Sequence, residues 1–241
     1  MEAGTRRWSD LAMTMTTEAE SVIRMFHVHK RYGSQIALHD INLNVLKNEF
    51  VFITGQSGAG KTTLLRLLFL DEEVSEGQIL VNGIHLQRIH RAKIPFLRRN
   101  MGVVFQDFRL IQSYTVYENV ALVLETAGQQ KRYIRKRVHQ VLRMVGLEDR
   151  LHTYPLRLSG GEQQRVAVAR AAVGNPLILL ADEPTGNLDT NAADMVFDLF
   201  RQLHTRGTTV IVATHDSRLF EKVQGRIVVL NRGRVESKHN T

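Results

Sequence analysis

The chain has 241 residues, 43% of them apolar, and its 32 basic against 24 acidic residues give a formal net charge of +8. This is enough apolar content for a well-buried core and too ordinary a charge content for wholesale disorder, while the basic excess suits an anionic partner: a nucleotide, a nucleic acid or an anionic membrane surface. The lack of cysteine excludes disulfides, thiol catalysis and thiolate zinc sites, and no apolar run reaches the ~18–20 residues that span a bilayer.

Residues 1–21 are small and polar, lack the apolar core of a signal peptide, and read as a disordered extension. Short strands are predicted at Met25–His29 and Ile41–Val45. The apolar run FVFIT, Phe50–Thr54, predicts a strand ending at Gly55, with a helix over Lys61–Leu70. Further strands are expected at Gln78–Val81 and Met101–Phe105. From Thr115 to Gly146 the apolar spacing turns helical, through Val116, Val120, Val123 and Leu124 and then Ile134, Val138, Val141, Leu142 and Val145, with Gly146 as a C-cap. Another helix is expected over Glu162–Val173. Strand-like runs at Leu177–Ala181, Thr209–Ala213 and Ile227–Leu230 then alternate with helical stretches, of which Ala193–Leu203 is the clearest. Apolar strands alternating with helices predict an α/β fold with a mostly parallel central sheet, and the helical block near 107–162 reads as an inserted lobe.

The stretch Gly55-Gln56-Ser57-Gly58-Ala59-Gly60-Lys61-Thr62-Thr63 matches G-x-x-x-x-G-K-[ST] between a strand and a helix. Gly55, Gly58 and Gly60 let the backbone turn its N–H groups toward phosphate oxygens. Lys61 neutralises the outer phosphates, the Thr62 hydroxyl suits Mg²⁺, and Thr63 can add a phosphate contact. The run LILLADEPTGNLD, Leu177–Asp189, is a buried strand that delivers Asp182 to its C-terminal end, where open α/β sheets bind ligands. Asp182 is a metal-ligand candidate and Glu183 a candidate base for water. By itself an Asp-Glu pair ending a strand is as readily structural; the P-loop ahead of it favours chemistry.

RLSGGEQQRVAVARA, Arg157–Ala171, is a second anion-friendly stretch. Ser159 can donate its hydroxyl, Gly160 and Gly161 expose N–H groups, and the following helix adds its dipole. No lysine is poised there, so it reads as half a phosphate site, able to cap a γ-phosphate bound elsewhere.

Leu158-Ser159-Gly160-Gly161-Glu162, lying before the strand that ends in Asp182-Glu183, resembles the signature motif of ABC-type ATPases. Other elements of that family fall in order. Tyr32 resembles the aromatic that stacks on adenine, and Gln106 the loop glutamine that senses Mg²⁺ and the attacking water. Asn187-Leu188-Asp189 resembles the loop crossing the dimer interface, and His215 the histidine that contacts the γ-phosphate. Each of these alone would be an ordinary surface or loop residue; their order is what carries the likeness. The resemblance covers about residues 22–235 and leaves 236–241 as a polar tail. It implies a P-loop NTPase with a RecA-like, mostly parallel sheet core, an antiparallel β subdomain and a helical lobe at about 107–162. It further implies a head-to-tail homodimer with two ATP molecules sandwiched between subunits. Glu183, His215, Gln106 and Lys61 would then be catalytic, and Thr62, Gln106 and Asp182 would hold Mg²⁺. Nucleotide contacts would come from Tyr32, the loop Gly55–Thr63, Ser159, Gly160, Gly161, Glu162 and Asp189.

Lys61 and Asp182 are 182 − 61 = 121 residues apart, too few for the long heptad arms of the DNA-repair and chromosome-structure branch, so no specific nucleic-acid partner is expected. The stretches ADEPTGNLD and LSGGEQQRVAVARA resemble the group that contains the cell-division, lipoprotein-releasing and macrolide-exporter ATPases. KIPFLRRNMGVVFQDFRLI (Lys93–Ile111) and TVYENVALVLETAG (Thr115–Gly128) lean toward its FtsE branch. That branch implies an FtsX-like integral membrane partner whose outer domain regulates cell-wall hydrolases, and a place on the cytoplasmic face of the inner membrane held through that partner. Docking is expected near Gln106, Phe108, Leu110 and Tyr117. A lipoprotein-releasing or macrolide-type export ATPase is the alternative. Two basic groups stay open between a solvated face and a contact with headgroups or the partner: Arg88, Arg91, Lys93, Arg98 and Arg99, and Lys131, Arg132, Arg135, Lys136 and Arg137.

Overall fold

The computed structural model describes residues 21–216, 219–220 and 223–240. It opens on a long hairpin of β1 (Ser21–Tyr32) and β2 (Gln35–Leu46). Both strands outrun their predicted lengths, because bulges around His27 and His29 let polar residues pair where strict alternation fails. With β4 (Glu76–Val81) and the two-residue β5 (Ile84–His85) they form an antiparallel sheet of order β2-β1-β4-β5. Of the expected extension at 1–21, only Ser21 lies within the described residues, and it pairs with Leu46.

The central sheet has the order β10-β9-β3-β8-β7-β6. Its strands are β3 (Phe50–Thr54), β6 (Met101–Val104), β7 (Ile178–Asp182), β8 (Thr209–Ala213), β9 (Arg226–Asn231) and β10 (Arg234–Asn240). The first five are parallel, and only β10 runs antiparallel, against β9. The expected mostly parallel α/β core and the antiparallel β sheet are both present. β10 is the departure: it pairs through Asn240, across residues that read as a polar tail, because an edge strand needs backbone partners rather than apolar side chains.

Alternation along the central strands builds two cores. Val51, Ile53, Ile178, Leu180, Ile211 and Ala213 face α1 (Lys61–Leu68) and the antiparallel sheet. Phe52, Leu179, Ala181, Val210 and Val212 face the helices on the other side. Those helices are α3 (Val116–Thr126), α4 (Lys131–Met144), α5 (Gly160–Ala172) and α6 (Thr190–Thr205); the short α2 (Ile94–Arg99) lies ahead of β6. The continuous helical pattern from Thr115 to Gly146 is two helices, broken at Gly128, whose φ of +73° only glycine adopts freely. α5 lies so close to β6 that a Cβ at Gly102 would fall 2.3 Å from the Ala171 carbonyl oxygen. Among the described residues no helix is long and apolar enough to cross a membrane.

One buried amide organises the approach to α3. Asn119 is fully buried, and its Nδ2 donates to the carbonyls of Ile111, Tyr114 and Thr115 at 3.0 Å each, while its Oδ1 accepts from Ile111 N at 2.8 Å. Asn119→Ala strips all four bonds from the interior and is expected to lower stability by about 2–3 kcal/mol. The readout is the urea midpoint at constant slope; a midpoint equal to that of the parent removes Asn119 from this role.

Candidate active site

Parallel pairing sets four strand ends side by side at one edge of the central sheet. β3 leads into the loop Gly55–Gly60 and then α1, β8 into Thr214 and His215, β7 into Glu183, and β6 into Gln106. The loop's shape is set by close backbone approaches. A Cβ at Gly55 would lie 2.1 Å from the Leu230 carbonyl oxygen, and one at Gly60 would lie 2.7 Å from that of Ala37. Gly55, Gly58 and Gly60 all have positive φ. Gln56, Ser57 and Gly58 are exposed while Ala59 is buried. Gly60 caps α1 without a side-chain bond, so the N–H groups of the first turn, including Thr62 and Thr63, are left for an anion. The Lys61 ammonium is nearly buried and donates to the carbonyls of Gly55 at 2.8 Å and Gln56 at 3.3 Å.

Around this loop stand the acidic residues. Asp182 is 6% exposed, and its Oδ1 accepts no hydrogen bond from the protein. Burial pushes its carboxyl above the usual range; a hydrogen bond from Thr62 opposes the shift and the Glu183 charge adds to it. Glu183 has a φ of +46°, and its N–H is tied to the Ala213 carbonyl at 2.9 Å, so the end of β8 holds its backbone. Its carboxylate lies 3.8 Å from Lys61 Nζ and takes His215 Nδ1 at 3.0 Å on both oxygens. Thr62, Gln106 and Asp182 line one cleft of about 370 Å³. A buried carboxylate oxygen with no protein donor, a threonine hydroxyl and an amide on one cleft form a hard-oxygen set that fits a divalent cation.

The remaining sequence-predicted residues sit elsewhere. Tyr32 ends β1, 41% exposed, with Lys30 Nζ 4.7 Å from its ring centre. Ser159 caps α5 and forms a capping box with Glu162: Ser159 Oγ accepts from Glu162 N at 3.2 Å, and Glu162 accepts from Ser159 N at 2.9 Å. That backbone bond holds the Glu162 carboxyl below its usual range. Glu162 is thus accounted for by the helix start, while the Ser159 hydroxyl, acting as acceptor there, still has its proton to donate. Gly160 faces open space, and Gly161 packs toward Leu188 and Asn187. Asp189 caps α6, accepting from Ala192 N at 2.8 Å. None of residues 159–162 lines the clefts at the P-loop or at Glu183 and His215. Of the expected docking residues, Gln106 is exposed, but Leu110 is buried, and Phe108 and Tyr117 pack against the core. The exposed apolar side chains of that segment are Ile111 and Tyr114, which lie between Leu110 and Tyr117.

Sequence reasoning missed Arg170. The turn after Gln106 carries two successive left-handed residues, Phe108 (φ +59°) and Arg109 (φ +48°). Arg170, on α5, donates to both of their carbonyls, at 2.7 and 2.6 Å. No local pattern signals this contact, because the two segments are far apart in sequence.

Residues 38–186 match the family described as ABC transporter. The chain belongs to that ABC family. Its relatives include the cell division ATP-binding protein FtsE of Mycobacterium tuberculosis, 46% identical over 216 residues (89% of this chain, 94% of that protein). FtsE of Escherichia coli K12 is 45% identical over 213 residues, 88% of this chain and 96% of that one. A bacterial ABC transporter cassette solved as a dimer superposes with a TM-score of 0.86 at 37% identity, covering 90% of this chain and 98% of the other. A dimeric post-hydrolysis cassette bound to ADP and Pi gives 0.85 at 36%, with the same coverage. This ABC chain is an ATPase of the FtsE-like kind.

Arg170→Met frees the carbonyls of the left-handed turn and is expected to speed amide exchange across residues 105–110 by roughly ten-fold. Exchange that stays at the parental rate would mean the turn holds itself.

Proposed function

We propose that this FtsE-like ATPase binds Mg²⁺-ATP between two head-to-tail copies and passes the work of hydrolysis to an FtsX-like integral membrane protein, which regulates cell-wall hydrolysis in division. The observation that carries this reading is 43–46% identity to FtsE proteins over nearly nine-tenths of the chain, together with a P-loop, Asp182, Glu183 and His215 at one sheet edge. On this reading the protein sits at the cytoplasmic face of the inner membrane through its partner, and the surface around Gln106, Ile111 and Tyr114 receives that partner.

The Tyr32 ring stacks on adenine, and the N–H groups of Gly58 and of Gly60–Thr63, with the α1 dipole, take the phosphates, while the Ala59 N–H stays on the Gln56 carbonyl. Lys61 exchanges the carbonyls of Gly55 and Gln56 for phosphate oxygens, a short move for an ammonium already at the loop. Thr62 and Asp182, with Gln106 on the same cleft, are the residues that would hold Mg²⁺, which when bound neutralises phosphate charge. Ser159, Gly160 and Gly161 of a second copy cap the γ-phosphate. That their own chain's P-loop clefts lack them supports such use in trans. Glu183 takes a proton from water as the water oxygen attacks the γ-phosphorus and the bond to the bridging oxygen breaks, leaving ADP and phosphate. His215 orients the Glu183 carboxylate through the 3.0 Å contact. Charge stabilisation by Lys61 and the N–H groups, in a site that the second copy closes off from bulk solvent around the attacking water, supplies most of the acceleration.

Glu183→Gln keeps the shape and removes the base. It is expected to bind ATP normally, turn over roughly 10²-fold more slowly or worse, and elute as a dimer with ATP in size-exclusion chromatography; parental turnover would take Glu183 out of the mechanism. Lys61→Ala is expected to weaken nucleotide affinity in a titration, and unchanged affinity would count against the P-loop assignment. With the Glu183→Gln protein and ATP, capture from solubilised native membranes should recover a protein of the FtsX kind. A lipoprotein-release or exporter permease in its place would keep the ATPase chemistry and replace the biology.

A further inference from the structure

Helix α4 reads KRYIRKRVHQVLRM and contains six lysines and arginines with no aspartate or glutamate. Arg137 alone turns inward, where it donates to the Val173 carbonyl at 3.0 Å and to Asn175 Oδ1 at 2.6 Å. Lys131, Arg132, Arg135, Lys136 and Arg143 are exposed, and among the described residues none of their side chains forms an ion pair or hydrogen bond.

This pattern works against the helix. Lys131 and Arg135, and Arg132 and Lys136, set like charges four residues apart, where opposite charges would stabilise. Lys131 and Arg132 also place cations at the positive end of the helix dipole. The helix survives on its buried face of Ile134, Val138, Val141 and Leu142. The other basic group differs. Arg98 donates to the carbonyls of Phe69 and Leu70 and lies over the Phe69 ring, and Arg99 lies over Phe96. The face of α4 is therefore a strip of cations whose repulsion an external anionic surface would relieve.

Its position selects that surface. The His139 ring of α4 lies 6.2 Å, centre to centre, from the ring of Tyr117, in the first turn of α3 and next to the segment assigned above to the membrane partner. We propose that the exposed face of α4 is an electrostatic contact for anionic lipid headgroups, set beside the partner's docking surface and acting without the partner. The orientation toward a membrane rests on the proposed function; the charge strip does not.

The test is co-sedimentation of the purified full chain, with no partner present, on vesicles of phosphatidylcholine alone or mixed equally with phosphatidylglycerol. Binding is expected only to the anionic vesicles, fading by roughly 0.5 M salt as screening shortens its reach. The combined variant Lys131→Gln, Arg132→Gln, Arg135→Gln and Lys136→Gln should bind at least about ten-fold more weakly, with unchanged circular dichroism and ATPase activity. A control that removes equal charge, Arg88→Gln, Arg91→Gln, Lys93→Gln and Arg99→Gln, should bind as the parent does. Absence of binding to anionic vesicles, or equal loss in both variants, overturns the proposal. So does binding to duplex DNA that matches the vesicles in the same salt and is lost with the same four residues. Because the assay holds no partner protein, failure here leaves the partner assignment standing, and failure of the membrane capture leaves this result untouched.

Discussion

The candidate site depends on how closely backbone passes backbone around Gly55 and Gly60. Leu230 on β9 and Ala37 on β2 bring carbonyl oxygens to where a methyl group would have to sit, and Gly233, in the turn after β9, meets Ala37 at the same place. Hydrogen bonds close the arrangement, from Gly233 N to the Ala59 carbonyl and from His39 N to that of Gly233. Two sheets thus meet at the loop largely through main chain, with the Leu38 side chain as close to Gly60 as the Ala37 carbonyl is. The loop is shaped by its own fold, so on the proposed function little ordering cost falls on phosphate binding.

Much of this was legible in the sequence, and the reasons are local. FVFIT, LILLA and TVIVA are apolar runs of strand length, alternating with helical stretches, so the parallel core could be read. Gly55, Gly60 and Lys61 stand out because the loop's turn sets its needs on consecutive residues, two glycines at positive φ and a lysine folded onto the loop's carbonyls. The failures share a cause in tertiary structure. β10 and much of the β1–β2 hairpin are polar strands whose pairing depends on neighbours distant in sequence. Leu110 and Tyr117 sit in a segment that Asn119 folds back on itself, and parity along the chain did not reveal which side chains face out. Glu162 and Asp189 lie within motifs of the resemblance, yet their geometry accounts for them as helix caps.

Arg170 shows the same limit at the level of a single residue. It lies on a helix face that sequence reads as ordinary, and its burial works against its charge. Its two bonds join the helix that starts at Ser159 to the turn that follows Gln106. With Gly102 holding that helix hard against β6, the two segments share one rigid support.

The strand carrying the P-loop has β8 and β9 as its hydrogen-bonded neighbours, and both come from the last part of the chain. During synthesis, residues 50–63 leave the ribosome long before residues 209–231 exist. Until those later residues emerge, β3 has neither lateral neighbour, and the loop lacks the Leu230 carbonyl that shapes it. Parallel pairings over such separations form late in folding. On the function proposed above, nucleotide binding is therefore a property of the nearly finished chain, and a nascent polypeptide truncated before β9 carries the complete motif without the Leu230 carbonyl that packs against Gly55.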